Sequence, residues 1–192
     1  MKRLLLILIL TLNFQSWTKA NDSRDFQIEG MSLGDSLLDH FSIEKIKKNI
    51  KKNYYKNIPN FKYLAIEIQN IESFNQYFGI QIHVKKNDSK YIIQAISGYN
   101  YYQDNINECY DQMELIKKDF NNLFKNLKYQ DGDMTHSADP SGKSRVKYVY
   151  YYFDNKDVVS INCYDWSDEV GYWDNLDVSL DSKDFYDAIS QK

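Results

Sequence analysis

Tyr148, Tyr150 and Tyr152 recur at every second position of RVKYVYYYF (145–153). Tyr164 and Trp166 do the same in DVVSINCYDW (157–166), and Trp173 follows close behind. Alternate side chains of a β-strand share a face, so this spacing sets rows of rings on one side of a sheet. A ring with a large apolar body and a polar tip suits recognition of protein or glycan. Tyrosine is also a favoured strand residue in its own right, so the rows can equally be a consequence of strand formation. Tyr148, Tyr150, Tyr152, Tyr164, Trp166 and Trp173 form the candidate binding surface.

Other constellations are weaker. Asp165, Asp168 and Glu169 flank Trp166 in DWSDE (165–169), an aromatic-plus-acid arrangement of the kind that dresses sugar sites. It supports an alternative reading as a glycan hydrolase, although nothing in the spacing sets the separation that a pair of catalytic carboxylates needs. The histidines are His40, His83 and His136, and no GxSxG elbow accompanies them, so a catalytic triad is not expected. Asp131, Asp133, His136 and Asp139 gather in QDGDMTHSADPSGKS (130–144). Their order does not match a calcium loop, and Asp-Gly runs are common turn chemistry, so no metal is expected. Gly142-Lys143-Ser144 matches the end of a phosphate loop, but Ser137 stands where the first glycine belongs and a strand pattern follows where a helix is required. The balance leans away from an enzyme, and no cofactor is expected.

The two cysteines acquire meaning from the N-terminus. Met1-Lys2-Arg3 is basic, Leu4 to Leu12 is almost wholly apolar, and Thr18-Lys19-Ala20 supplies small residues at the positions a signal peptidase reads. The expectation is a signal peptide over residues 1–20, cleaved between Ala20 and Asn21, and a mature chain that is periplasmic or secreted. The apolar run is too short to span a bilayer, and no later stretch is long enough, so no stable membrane span is expected in the mature chain. Three of the 24 Lys and Arg lie in the leader with no acid beside them, leaving 21 cations against 27 acids. That net charge of −6 disfavours binding to nucleic acid through bulk charge. Outside the cytoplasm a cysteine pair reads as a disulfide. Cys109 falls on the apolar stripe Ile106, Cys109, Met113, Ile116, Phe120, Leu123, Leu127 of a helix over 104–127 that Asp104 would cap. Cys163 shares a strand face with Val159 and Ile161. Both point to one core, so a Cys109–Cys163 bridge is expected.

These elements define one globular α+β domain over 21–192. A short strand ending in a glycine turn is expected at 26–34, followed by a helical pair at 35–52 with caps at Asp35 or Ser36 and at Ser42. Strands follow at 61–69, 78–86 and 91–97, the last apolar on both faces like a central strand. After the long helix come a polar loop at 130–144, a hairpin at 145–166, a strand at 173–180 and a closing helix at 182–190. The short connections at 86–89 and 154–156 permit only antiparallel pairing. The sum is an antiparallel sheet of five to seven strands with helices packed mainly on one face.

FQIEGMSLGDSLLDHFSIEKI (26–46) resembles the opening of a family of uncharacterised small exported bacterial proteins, and the likeness extends through DPSGKS, INCYDW and the last strand. It implies no activity and no catalytic residue. At the level of fold, GMSLGDS before a helix is similar to the strand-turn-helix start of SmpA/OmlA and beta-lactamase-inhibitor-like modules, which implies binding or assembly. The reading that emerges is a non-catalytic binding module whose partner is a protein or a glycan outside the cytoplasm. A pocket between the long helix and the sheet would instead point to a small-ligand carrier.

Overall fold

A computed structural model describes residues 22–190 apart from Asn57 and Asp104. The expected signal peptide, its cleavage site at Ala20 and Asn21, and the cap at Asp104 lie outside the described residues. No helix among the described residues is long and apolar enough to cross a membrane.

Seven strands form one sheet, all pairs antiparallel. They are β1 (Tyr63–Gln69), β2 (Gly79–Lys85), β3 (Ile93–Gln103), β4 (Lys128–Thr135), β5 (Arg145–Tyr152), β6 (Val158–Asp165) and β7 (Asp174–Asp181). The helices are α1 (Ile43–Lys48), α2 (Ile106–Leu123) and α3 (Lys183–Ser190). The sheet order is β1-β2-β3-β7-β6-β5-β4. β1 to β3 make one meander, α2 carries the chain to the far edge, and β4 to β7 return, so that β7 closes the sheet against β3. The last strand to be made is thus one of the innermost.

Period-two alternation sorts the side chains onto two faces. Ile66, Ile82, Ile96, Leu180, Val159 and Tyr151 stand side by side across six strands on one face. α1 contributes Ile46 and α2 contributes Cys109, Met113 and Phe120 to the same core. Burying each of these aliphatic side chains is worth about 1.5–3 kcal/mol. Ser42 caps α1 by accepting from the Lys45 amide, and Ser36 accepts from the Leu38 amide to start a single 3-10 turn at Leu37–Asp39. The opposite face carries α3, whose Phe185 packs with Phe61, Tyr63 and Ala95 in a second, smaller core. α1 and α2 cover one face and α3 one end of the other.

Cys109 on α2 and Cys163 on β6 are joined by a disulfide, with Cα atoms 6.0 Å apart and both residues fully buried. It fastens the helix to the middle of the sheet. Phe120 and Phe124 continue that contact against Tyr151, with ring centroids 5.7 and 5.6 Å away.

Three elements differ from the sequence expectation. Residues 26–34 are not a strand: Ile28 and Met31 form an isolated bridge around a two-residue turn, Glu29 (φ 50°) and Gly30 (φ 80°). Positive φ at both turn positions is the type I′ signature. The Glu29 carboxylate fastens that turn by accepting from the amides of Asn75, Gln76 and Tyr77. The expected loop at 130–144 is a strand up to Thr135, paired with β5 from Lys128↔Tyr152 to Thr135↔Arg145. Asp131, Gly132 and Asp133 gave no strand signal because β4 is an edge strand, where charged side chains are tolerated and block further pairing. β3 runs on to Gln103, six residues past its expected end.

Candidate functional site

The aromatic candidates all fall on the α3 side of the sheet. Tyr148 and Tyr150 stack with centroids 5.0 Å apart, and Tyr150 lies 6.5 Å from Tyr152. Tyr164 and Trp166 stack at 5.8 Å with planes 9° apart, and Tyr172 meets Trp166 edge-on at 5.1 Å. Trp173 joins a neighbouring group through Tyr101 at 5.4 Å. The β5 row and the β6 row therefore lie in one surface, and Trp173 extends it toward β3.

Between these rings lies a polar floor. β7 places Asp177, Ser179 and Asp181 on this face, β6 places Ser160 and Asn162, and β3 places Ser97. Ser97, Ser160, Ser179, Asn162 and Asp181 are buried and Asp177 is half-buried. Their hydrogen bonds link β6 to β7. Asn162 Nδ2 donates to Ser160 Oγ at 2.9 Å, the two serine hydroxyls are 2.8 Å apart, and Ser179 Oγ donates to Asp181 Oδ2 at 3.3 Å. Burial pushes the Asp177 carboxyl up to about 6, against the pull of hydrogen bonds from Ser97 and Asn162. Burial, reinforced by the Asp177 charge, pushes Asp181 up to about 7, with the Ser179 hydrogen bond acting the other way. Burial also holds the Tyr164 phenol well above its ordinary range. The structural cause is shared: the floor sits mid-sheet, far from either edge, under a cover of rings.

The segment between α1 and β1 supplies the cover on the β2 side. Ile50 pairs with Ile66 at the sheet edge. Beyond it the chain crosses to the α3 face, where Tyr54 Oη donates to Gln81 at 2.9 Å. Tyr55 Oη lies 2.8 Å from His83 Nδ1. His83 is buried on this face. It stacks on Phe185 at 4.5 Å, and burial lowers its pKa to about 3, so the ring is neutral.

The remaining sequence candidates find partners elsewhere. Asp131 pairs with Lys117, Asp133 with Arg145 and Glu169 with Lys143. His136 packs on Trp166 at 4.5 Å. Asp139 accepts from the amides of Ser141 and Ser144 and from the hydroxyls of Ser144 and Ser167, and the Ser144 and Ser141 hydrogen bonds hold its carboxyl far below the usual range. These residues do not converge, and among the described residues no three His, Cys, Asp or Glu gather as a metal cluster would. Asp165 stands opposite Arg145 and Asp168 is exposed, so the acids around Trp166 point into no common space. Asp177 and Asp181 are four residues apart on one strand, about 13 Å along the backbone. A small open cleft of about 240 Å³ beside α2 is lined by Met113, Tyr148 and Val149 together with Glu114, Lys117, Asp131, Asp133 and Lys147.

The buried polar floor is what sequence reasoning missed. Its signal was present in DNLDVSLD (174–181), where Asn175, Asp177, Ser179 and Asp181 alternate with the apolar residues. On an outer strand that pattern means a solvated face. On an inner strand flanked by rings it means a polar interior.

Fold and site together define an α+β sheet protein with one face closed by a disulfide-anchored helix and the other lined by aromatics over carboxyls. No family model, curated protein or solved structure matches this chain.

Proposed function

We propose that this chain is a non-catalytic binding module, exported from the cytoplasm, that engages a protein or glycan through the aromatic face of its sheet. The observation that carries the reading is the asymmetry of the two faces. One is sealed by α2 and its bridge to Cys163, while the other presents Tyr150, Tyr164, Trp166 and Tyr172 over a hydrogen-bonded polar floor. Rings beside buried polar groups are the composition of a recognition surface. The disulfide supports an oxidising destination, in keeping with the basic and apolar leader. A photo-crosslinking amino acid at Tyr150 or Tyr172, expressed in the native cell envelope, should give discrete adducts. The same probe at Leu115, exposed on the outer side of α2, should give none. Equal labelling at all three positions would overturn the assignment of the face.

A further inference from the structure

We propose that the lysine-rich corner at the β1 edge of the sheet docks the protein on an anionic lipid surface. The corner lies apart from the aromatic rows of β5 and β6, and the inference does not rest on those rows being a binding surface.

The charge of the chain is divided. Residues 36–90 hold 10 lysines against 5 acids, whereas the rest of the sequence from Asn21 onward holds 11 cations against 22 acids. The fold gathers the first group at one corner. The Lys51 amide donates to the Ala65 carbonyl and the Glu67 amide to the Asn49 carbonyl, so the chain leaving α1 runs along the sheet edge toward Tyr63. Lys52 and Lys56 follow on the crossing segment. At that end of the sheet the Lys86 amide donates to the Lys62 carbonyl, and the β2–β3 turn comes next. The 3-10 turn at Leu37–Asp39 is fastened to the far side of that turn, where the Ser36 hydroxyl donates to the Lys90 carbonyl and the Leu37 amide to the Tyr91 carbonyl. α1 follows four residues later with Lys45, Lys47 and Lys48.

This positive charge is left uncompensated. All ten lysines are exposed, and among the described residues only Lys51, with Glu67, and Lys85, with Asp184, have a carboxylate within 4.0 Å. Of the five acids, Glu67 is taken by Lys51, Asp88 accepts from the amides of Lys90 and Ile92, and Glu72 lies past the opposite end of β1. Asp39 and Glu44 remain among the lysines. A concentration of one sign of charge on one side of a protein steers it toward a surface of the other sign.

Apolar groups are set among the lysines. Leu38 is 40% exposed beside the Lys90 attachment, Tyr54 is 50% exposed on the crossing segment, and Lys45 Nζ lies 5.1 Å over the Phe41 ring. Exposed apolar side chains ringed by lysines seat themselves at the level of lipid headgroups. No arginine lies in residues 36–90, whereas arginine is the cation that forks onto the phosphates of nucleic acid. Lysine ammoniums act as point charges and suit a diffuse layer of headgroups. They stand on an edge, a turn and two short helices, a rim that meets a flat surface rather than a groove that follows a strand. Asp131 and Asp133 lie on β4, at the opposite edge, and the same surface repels them. The protein therefore lands with its β1 edge down, and the aromatic rows stay clear of the lipid.

The test is co-sedimentation of the exported, disulfide-bonded protein with sucrose-loaded vesicles. Vesicles of phosphatidylglycerol and phosphatidylcholine in equal parts should bring it down in low salt and release it in high salt, and phosphatidylcholine alone should leave it in solution. The quadruple variant Lys45→Gln, Lys48→Gln, Lys52→Gln, Lys56→Gln should weaken binding by about a hundredfold or more, since each lysine near an anionic surface is worth about fivefold. The charge-matched variant Lys118→Gln, Lys125→Gln, Lys128→Gln, Lys156→Gln, exposed positions outside the corner, should bind nearly as the wild type does. Leu38→Asn is an independent further variant and should weaken vesicle binding several-fold by removing an apolar contact. The proposal is overturned by the absence of any preference for phosphatidylglycerol or by equal losses in the two quadruple variants. Tighter binding to duplex DNA than to vesicles at equal phosphate would overturn it too, making the corner a nucleic-acid surface.

Discussion

Replacing Asp181 with asparagine should stabilise the protein at neutral pH and do almost nothing in acid. Asp181 is 9% exposed, and its carboxyl titrates near 7 in the folded chain against an ordinary value of 3.8. Between those values the folded protein holds a proton that the unfolded chain has released. Stability therefore falls as pH rises through this window, and the loss is complete above about 7. At about 1.4 kcal/mol for each tenfold change, the wild type forfeits about 4 kcal/mol between pH 4 and pH 8 through this group. That is a large share of the about 5–15 kcal/mol that holds a domain folded. Asparagine keeps the shape and the acceptor for Ser179 but has no proton to lose. Urea unfolding followed by tryptophan fluorescence, repeated across that range, should show the variant's advantage growing with pH toward about 4 kcal/mol at constant m. Because the Asp177 charge is part of what raises Asp181, introducing Asp177→Asn first should end the growth at a lower pH and make its total smaller. An advantage that is flat with pH, or that shrinks as pH rises, would refute the buried-carboxyl account of the floor.

Three further outcomes test other parts of the structure. Cys109→Ser opens a loop that spans 54 positions and should cost about 4 kcal/mol, a fall of about 10 °C in melting temperature under non-reducing conditions. Equal melting of mutant and wild type would remove the bridge from the account. Phe120→Ala hollows the contact among Phe26, Phe124 and Tyr151 and should cost about 3–5 kcal/mol by urea unfolding. Gly79→Ala would place a Cβ 2.6 Å from Tyr99 Oη. It should lift that ring off Glu67 and Gln69 at a cost of about 1–3 kcal/mol, visible as a changed environment of Tyr99 in aromatic NMR spectra.

Local order in the side chains carried much of the architecture. The repeats Leu64-Ile66-Ile68 and Ile80-Ile82-Val84, the helical stripe through Cys109 and the short turns at 86–89 and 154–156 are contained within single segments. They were enough for an antiparallel α+β sheet, for the pairing of Cys109 with Cys163 and for the shared face of Tyr148, Tyr150 and Tyr152. Where the chain relies on neighbours distant in sequence, the signal failed. β4 is a strand because β5 pairs with it, and no propensity of Gln130-Asp131-Gly132-Asp133 says so. His83 lost its water because Tyr55 and Phe185 arrive over it from segments on either side of it in the sequence, 28 residues before and about a hundred after.

Alternation told which residues of β7 share a side, and tertiary structure alone decided what that side would meet. The chain inserts its last strand between β3 and β6 rather than at an edge. That step turns Asp177, Ser179 and Asp181 from a solvated row into the polar floor of the aromatic face. Periodicity is fixed by the geometry of one strand, whereas burial is fixed by the strands and rings on either side, and those are assembled from the whole length of the chain.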